Sequence, residues 1–143
     1  MNALQQREKN AGIVELRIPR RAEWVAVARL AVAAVANRLS FSIEEIEDVK
    51  IAVAEACTSC ILQHEGGDQI DILFTTDQDA LTVRVRSFGK AEAAADAAAT
   101  SVDAELQIGA LGILLIRSLM DSVEYEGGSG RDIHLVMTKK VAT

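Results

Sequence analysis

Apolar residues recur at three- and four-residue steps between residues 42 and 63, which predicts an amphipathic helix. Its apolar positions are Ile46, Val49, Val53, Cys57, Cys60 and Ile61. Ser42 followed by Glu45 is typical of a capping box, in which the hydroxyl and the carboxylate satisfy backbone donors of the first turn. We therefore expect a helix that begins near Ser42 and packs one face against a core.

A second line of residues on the same helix carries Ile51, Glu55, Ser59 and Gln63 at four-residue steps. Residues with this spacing lie one above another on a helix, so an acid, a hydroxyl and an amide are aligned beside the apolar face. This polar line is either part of a site or a solvated edge, and the periodicity alone leaves both open.

Alternating apolar residues predict strands elsewhere in the chain. They cover residues 13–18, a hairpin around residues 70–74 and 81–85, and a final hairpin that pairs residues 122–126 with 132–139. Helices are predicted over residues 22–39 and 111–120. The core-facing positions predicted for the first of these helices are Trp24, Val27, Ala31, Val35 and Leu39.

This order of elements predicts an α+β fold, a two-layer sandwich whose mixed, largely antiparallel sheet is covered on one face by helices. The length of 143 residues fits a single domain. We expect residues 1–11 to be a disordered N-terminus. The alanine-rich segment 91–107 has no strong apolar stripe and is expected to be a mobile loop.

Composition excludes several classes of function. The formal charge of −6 argues against direct nucleic-acid binding, which needs clustered basic residues. The two cysteines, Cys57 and Cys60, lie on the apolar face, where core packing is a better interpretation than redox or metal chemistry. Because no signal peptide or membrane-spanning run is found, we expect a cytoplasmic protein.

Three stretches carry a resemblance that extends from about residue 13 to residue 140. They are EIEDVKIAVAEACTSCILQ, LTVRVRSFGK and GALGILLIRSLMDSVEYEGGSGRDIHLVMTKK. In order and spacing they resemble the bacterial anti-sigma factor serine kinases of the general-stress and sporulation type. These kinases belong to the GHKL superfamily of histidine kinase-like ATPases.

The resemblance implies a function by partner switching. Such a protein sequesters a sigma factor, and it uses ATP to phosphorylate a serine of an anti-anti-sigma antagonist, which adds charge to a packed interface. It also implies ATP or ADP with Mg²⁺ as ligands, and a homodimer formed through the face that carries the first strand and helix.

Two family motifs are altered in this chain. Glu55 matches the acid of the first motif, a base or water-positioning group, but the Mg²⁺-binding Asn is replaced by Ser59, a shorter ligand. In the second motif, Ser87 replaces the Asp that accepts a hydrogen bond from the adenine amino group, and Gly89 is kept. The hydroxyl lacks the charge that strengthens such a bond.

The third motif binds phosphates through backbone N–H groups at a helix N-terminus. Gly109, Leu111 and Gly112 match it. The preceding segment, a lid over the phosphates in the family, offers no obvious basic group. Arg29 lies where the family has an arginine that contacts protein partners, although an ordinary exposed arginine is an equal alternative.

Two functional hypotheses follow from the resemblance. In the first, favoured by the two substitutions, the protein is an anti-sigma factor whose nucleotide binding and kinase activity are weakened. In the alternative, it is an active serine-protein kinase that tolerates Ser59 and Ser87. A more distant interpretation is a phosphate-ligand sensor of the same superfamily.

Overall fold

A computed structural model describes residues 12–62, 67–88, 110–125 and 133–142. The strands are β1 (Gly12–Pro19), β2 (Gln69–Thr76), β3 (Ala80–Ser87), β4 (Ser122–Tyr125) and β5 (Ile133–Lys140). The helices are α1 (Val25–Ala36), which follows a 3-10 turn at Ala22–Trp24, α2 (Ile43–Leu62) and α3 (Ala110–Leu119). The predictions for residues 1–11, for residues 91–107 and for Gln63 lie outside the described residues.

The five strands form one sheet in the order β1-β2-β3-β5-β4. Every described pair of neighbouring strands is antiparallel, as in the register that places Ile72 of β2 opposite Val85 of β3. Alternate residues of β2 and β3 are fully buried under the helices, Phe74 and Val83 among them. The predicted α+β fold with a sheet covered on one face is confirmed.

The capping box predicted at the start of α2 is present. The backbone N–H of Ser42 donates to Oε1 of Glu45 at 2.9 Å, and the N–H of Glu45 donates to Oγ of Ser42 at 3.1 Å. The first of these bonds holds the pKa of Glu45 below its usual value. Within the described part of the chain, no helix has both the length and the hydrophobicity needed to cross a membrane.

The predicted core face of α1 is partly wrong. Trp24 and Val27 are 42% and 37% exposed, whereas the fully buried positions are Ala28, Val32 and Ala36. This helix has aliphatic residues on almost every side, so periodicity does not define which side is buried. Packing against α2 selects the face with two alanines, because small side chains let the two helices approach closely.

Both cysteines are free and buried in the core. Burial raises the pKa of the Cys57 thiol to about 12, and it raises the pKa of Cys60 as well. Because the thiolate is the form that attacks disulfides and binds metals, these thiols are inert at neutral pH. The interpretation of both residues as core packing is confirmed.

Arg20 joins three parts of the chain through its side chain. Its guanidinium donates to the backbone carbonyl of Gly67 at 2.5 Å and to the carbonyls of Cys60 and Ile61 at 3.0 Å each. Its backbone N–H donates to the carbonyl of Asp68. The last turn of a helix leaves carbonyls without intrahelical partners, so Arg20 acts as a cationic cap of α2.

We predict that Arg20→Ala lowers the free energy of unfolding by about 1–3 kcal/mol, because three carbonyls lose a charged donor. Equilibrium unfolding in urea measures this loss. Arg17→Ala is the matched control, since Arg17 forms an ion pair with Asp71 at 2.8 Å while its side chain remains 67% exposed. Exposed pairs are screened by solvent, so the control should lose clearly less. Equal losses for both variants would contradict the capping role.

Candidate functional site

Glu55 and Gly112 are in direct contact where α2 packs against the first turn of α3. A Cβ atom added to Gly112 would lie 2.8 Å from Oε1 of Glu55, closer than real contacts allow. The carboxylate of Glu55 is only partly buried at this place. The structure therefore brings together two residues from separate sequence motifs, and glycine is what permits the close approach.

Ser59 lies one turn after Glu55 and is only 3% exposed. Its Oγ donates a hydrogen bond to the backbone carbonyl of Glu55 at 2.9 Å. Serine in a helix commonly bonds to the carbonyl four residues earlier in this way. The hydroxyl proton is thus directed to the helix backbone, and any contact with a cation would be made by the oxygen lone pairs, as for every hydroxyl ligand.

Ser87 is the last residue of β3 and is fully buried, facing the helices. Burial raises the pKa of the neighbouring Cys60 thiol, and the Ser87 hydroxyl offsets part of that shift. A thiol is a weak partner, however, and Oγ of Ser87 has no hydrogen bond of adequate geometry within the described residues. A buried hydroxyl without a partner costs about 1–3 kcal/mol.

The chain beyond Ser87 is held by the turn that precedes β2. The N–H of Gly67 donates to the carbonyl of Phe88 at 2.6 Å. A Cβ on Gly67 would lie 2.9 Å from that carbonyl oxygen, so a larger residue would push the two segments apart. Since Arg20 also bonds Gly67, the end of β3 and the end of α2 are joined through one turn.

Sequence reasoning missed the roles of Arg20, Gly67 and Phe88. The paired glycines at 66 and 67 signal a turn, but no local pattern identifies the segment that the turn contacts. The bonds of Arg20 span 40 to 47 residues along the chain. Only the folded chain brings their partners together.

The other predicted site residues are distributed as follows. Leu111 is 84% exposed at the start of α3, and Arg29 is exposed on α1, which packs against α2 and the sheet. Gly89 and Gly109 lie outside the described residues. The structure thus places Glu55 beside Gly112, and Ser59 one turn further along α2.

The described residues fit a bound nucleotide at two points. The hydroxyl of Ser87 lacks a hydrogen-bond partner among the described residues, and a polar group of a ligand could supply that bond. The lack of a side chain at Gly112 lets the Glu55 carboxylate approach the first turn of α3. Backbone N–H groups without intrahelical partners at such a turn favour anions such as phosphates.

Known proteins of similar sequence indicate the family of this chain. The family model described as "Histidine kinase-like ATPase domain" matches residues 18–139. The chain is similar to the serine-protein kinase RsbW of Halalkalibacterium halodurans, with 35% identity over 88% of this chain and 82% of that protein. It is also similar to the RsbW of Bacillus subtilis, with 33% identity over 92% of this chain and 88% of that protein.

A third relative, the serine-protein kinase RsbW of Bacillus pumilus, is 36% identical over 89% of this chain and 85% of its own length. The family resemblance drawn from the three sequence stretches is therefore confirmed. Because the family model and these relatives each cover most of the sequence, the chain belongs to the histidine kinase-like ATPase family, among the serine-protein kinases of the RsbW type.

Proposed function

We propose that this protein is an anti-sigma factor that regulates transcription by partner switching. In this proposal it sequesters a sigma factor in the cytoplasm and releases it when an anti-anti-sigma antagonist takes its place. The similarity to RsbW proteins along almost the whole chain supports it. We also propose a homodimer, and Arg29 as a residue that contacts the protein partners.

We further propose that nucleotide binding and kinase activity are weakened. The observation that carries this proposal is the position of Ser59 at the place of the expected metal ligand, where a short side chain that is only 3% exposed is held against the carbonyl of Glu55. A serine that bonds to its own helix reaches less far than an Asn amide oxygen. At the base, Ser87 offers a neutral hydroxyl in place of a carboxylate.

Together the two replacements remove a metal ligand and a charge-assisted hydrogen bond. Such losses amount to about 3–5 kcal/mol, or roughly two to four powers of ten in affinity. ATP or ADP with Mg²⁺ would then bind too weakly to control the protein, and competition between partners would set the output.

One observation favours the alternative, an active serine-protein kinase. Glu55 lies against Gly112, so the acid that would act as base or orient the attacking hydroxyl is held at the start of α3. In this alternative the substrate is a serine of the antagonist. The relatives' name, serine-protein kinase, supports a protein serine as the acceptor. Titration of the unaltered protein with ATP and Mg²⁺ decides between the two proposals.

The sequestration proposal predicts that Arg29→Ala weakens binding of the cognate sigma factor by about tenfold or more, since arginine is a frequent hot spot of interfaces. Titration of the organism's purified sigma factors against the pure protein measures this affinity. Arg38→Ala is the matched control because Arg38 is also exposed, just beyond α1. Failure of every sigma factor to bind the unaltered protein would overturn the proposal.

The weakened-nucleotide proposal predicts a gain of function on restoration. Ser59→Asn combined with Ser87→Asp should tighten ATP binding in the presence of Mg²⁺ by roughly two to four powers of ten, for the reasons given above. Calorimetric titration measures the affinity, and urea unfolding of the same variant verifies that it is folded. Micromolar ATP binding and phosphate transfer to the antagonist by the unaltered protein would instead establish the active kinase.

Gly112→Ala, introduced into the restored variant, should separate stability from activity. Gly112 lies in the first turn of α3, where alanine in place of glycine gains at most about 1 kcal/mol, so the urea midpoint should stay equal or rise slightly. The added Cβ must displace the Glu55 carboxylate, and a misplaced catalytic group costs up to about 100-fold in rate. Phosphate transfer should therefore fall while Ser118→Ala, on the exposed face of the same helix, leaves it unchanged. Unchanged transfer by Gly112→Ala would contradict a role for this contact.

A further inference from the structure

We propose that Ser87 makes the base site tolerant of purines that carry a keto oxygen at position 6, so that inosine and guanine nucleotides bind about as well as adenine nucleotides. This inference rests on the proposed nucleotide site and names the class of ligand that it accepts. The Ser87 hydroxyl is the group that determines specificity.

The argument begins with donors and acceptors. An ionised carboxylate only accepts hydrogen bonds, so it binds the 6-amino group of adenine and repels a 6-keto oxygen. A serine hydroxyl rotates freely and has one donor and two acceptor lone pairs. It therefore accepts from an amino group or donates to a keto oxygen without any change of the backbone.

The position of Ser87 leaves this choice open. Its side chain is fully buried, and its Oγ has no hydrogen-bond partner in the described part of the chain. No neighbouring carboxylate or carbonyl in that part holds its proton in one direction. A ligand group of either polarity can thus complete the hydrogen bond that the fold leaves unmade.

The thiol beside this hydroxyl does not repel a keto oxygen. Burial raises the pKa of the neighbouring Cys60 thiol, so it carries no negative charge at neutral pH. The Arg20 guanidinium lies near enough to lower the pKa of that thiol slightly, and it bonds the carbonyl of Cys60 at 3.0 Å.

The ratio of the two nucleotide affinities depends on which hydrogen-bonding groups remain without a partner when each nucleotide is bound. A polar site that is built for one hydrogen-bonding group rejects an analogue with the wrong group by large factors, because buried polar atoms then lack partners. A carboxylate at this position should thus favour adenine by about 100-fold or more. With a hydroxyl, the ratio of affinities should fall within about tenfold.

The experiment compares Mg·ATP with Mg·ITP by calorimetric titration of the full chain, since inosine carries a keto oxygen at position 6 and lacks the additional amino group of guanine. We expect Kd values that agree within about tenfold. Ser87→Asp should tighten ATP but not ITP, giving a ratio of about 100-fold or more. Ser118→Asp is the matched control, since it adds the same charge at an exposed serine of α3 and should leave the ratio unchanged.

A second variant covers the case in which Ser87→Asp does not fold. Ser87→Ala keeps the small buried side chain but removes the hydroxyl, so it should weaken both nucleotides by a similar factor of about 3- to 10-fold. Urea unfolding of both variants verifies their stability.

Three outcomes overturn the inference. They are an ATP preference above about tenfold in the unaltered protein, unchanged affinities in Ser87→Ala, and no binding of either nucleotide at millimolar concentration. The last outcome leaves the proposed sequestration of a sigma factor intact, because partner titration needs no nucleotide. Conversely, loss of sigma-factor binding would leave the comparison of ATP with ITP unaffected.

Discussion

Burial of one face of α2 between the sheet and the two other helices is the constraint on which the described structure depends. Val49, Val53 and Cys57 are fully buried on this face, so α2 cannot rotate without exposing them. The orientation fixed in this way turns Glu55 towards α3 and brings Ser59 under cover. The arrangement of the candidate site is thus a consequence of core packing. A shift of the helix would expose these side chains and would lower the free energy of unfolding by about a few kcal/mol.

The two serines differ in how the fold uses them, although both are short and buried. Ser59 bonds to its own helix, which makes its burial inexpensive whether or not a ligand is present. Ser87 has no such partner among the described residues, and its burial is costly unless a ligand or solvent completes the bond. In the proposed nucleotide site, the hydroxyl of Ser59 is therefore engaged within its own helix, whereas the hydroxyl of Ser87 is available for recognition.

The residue proposed for partner binding and the residues proposed for nucleotide binding lie on different elements. Arg29 lies on α1, whereas Glu55, Ser87 and Gly112 lie on α2, β3 and α3. In the proposed function, α1 can therefore be preserved for partner binding while side chains on the other elements change. The packing of the Glu55 side chain against Gly112 depends on the lack of a Cβ at that glycine.

Sequence patterns alone were enough to predict the type and order of the elements, the capping box of α2 and the burial of Cys57 and Cys60, because each follows from a pattern within a few residues. The family followed from motifs that occur in a set order. It also identified Glu55 and Gly112 as candidates. The contact between these two residues is visible only in the folded chain. The same is true of the burial of Ala28 rather than Val27 and of the cap that Arg20 forms on α2. These features join residues that are far apart in the chain or depend on which side of an almost wholly aliphatic helix is covered. Local periodicity contains no information about either, because long-range packing chooses among faces and partners that the local pattern allows equally.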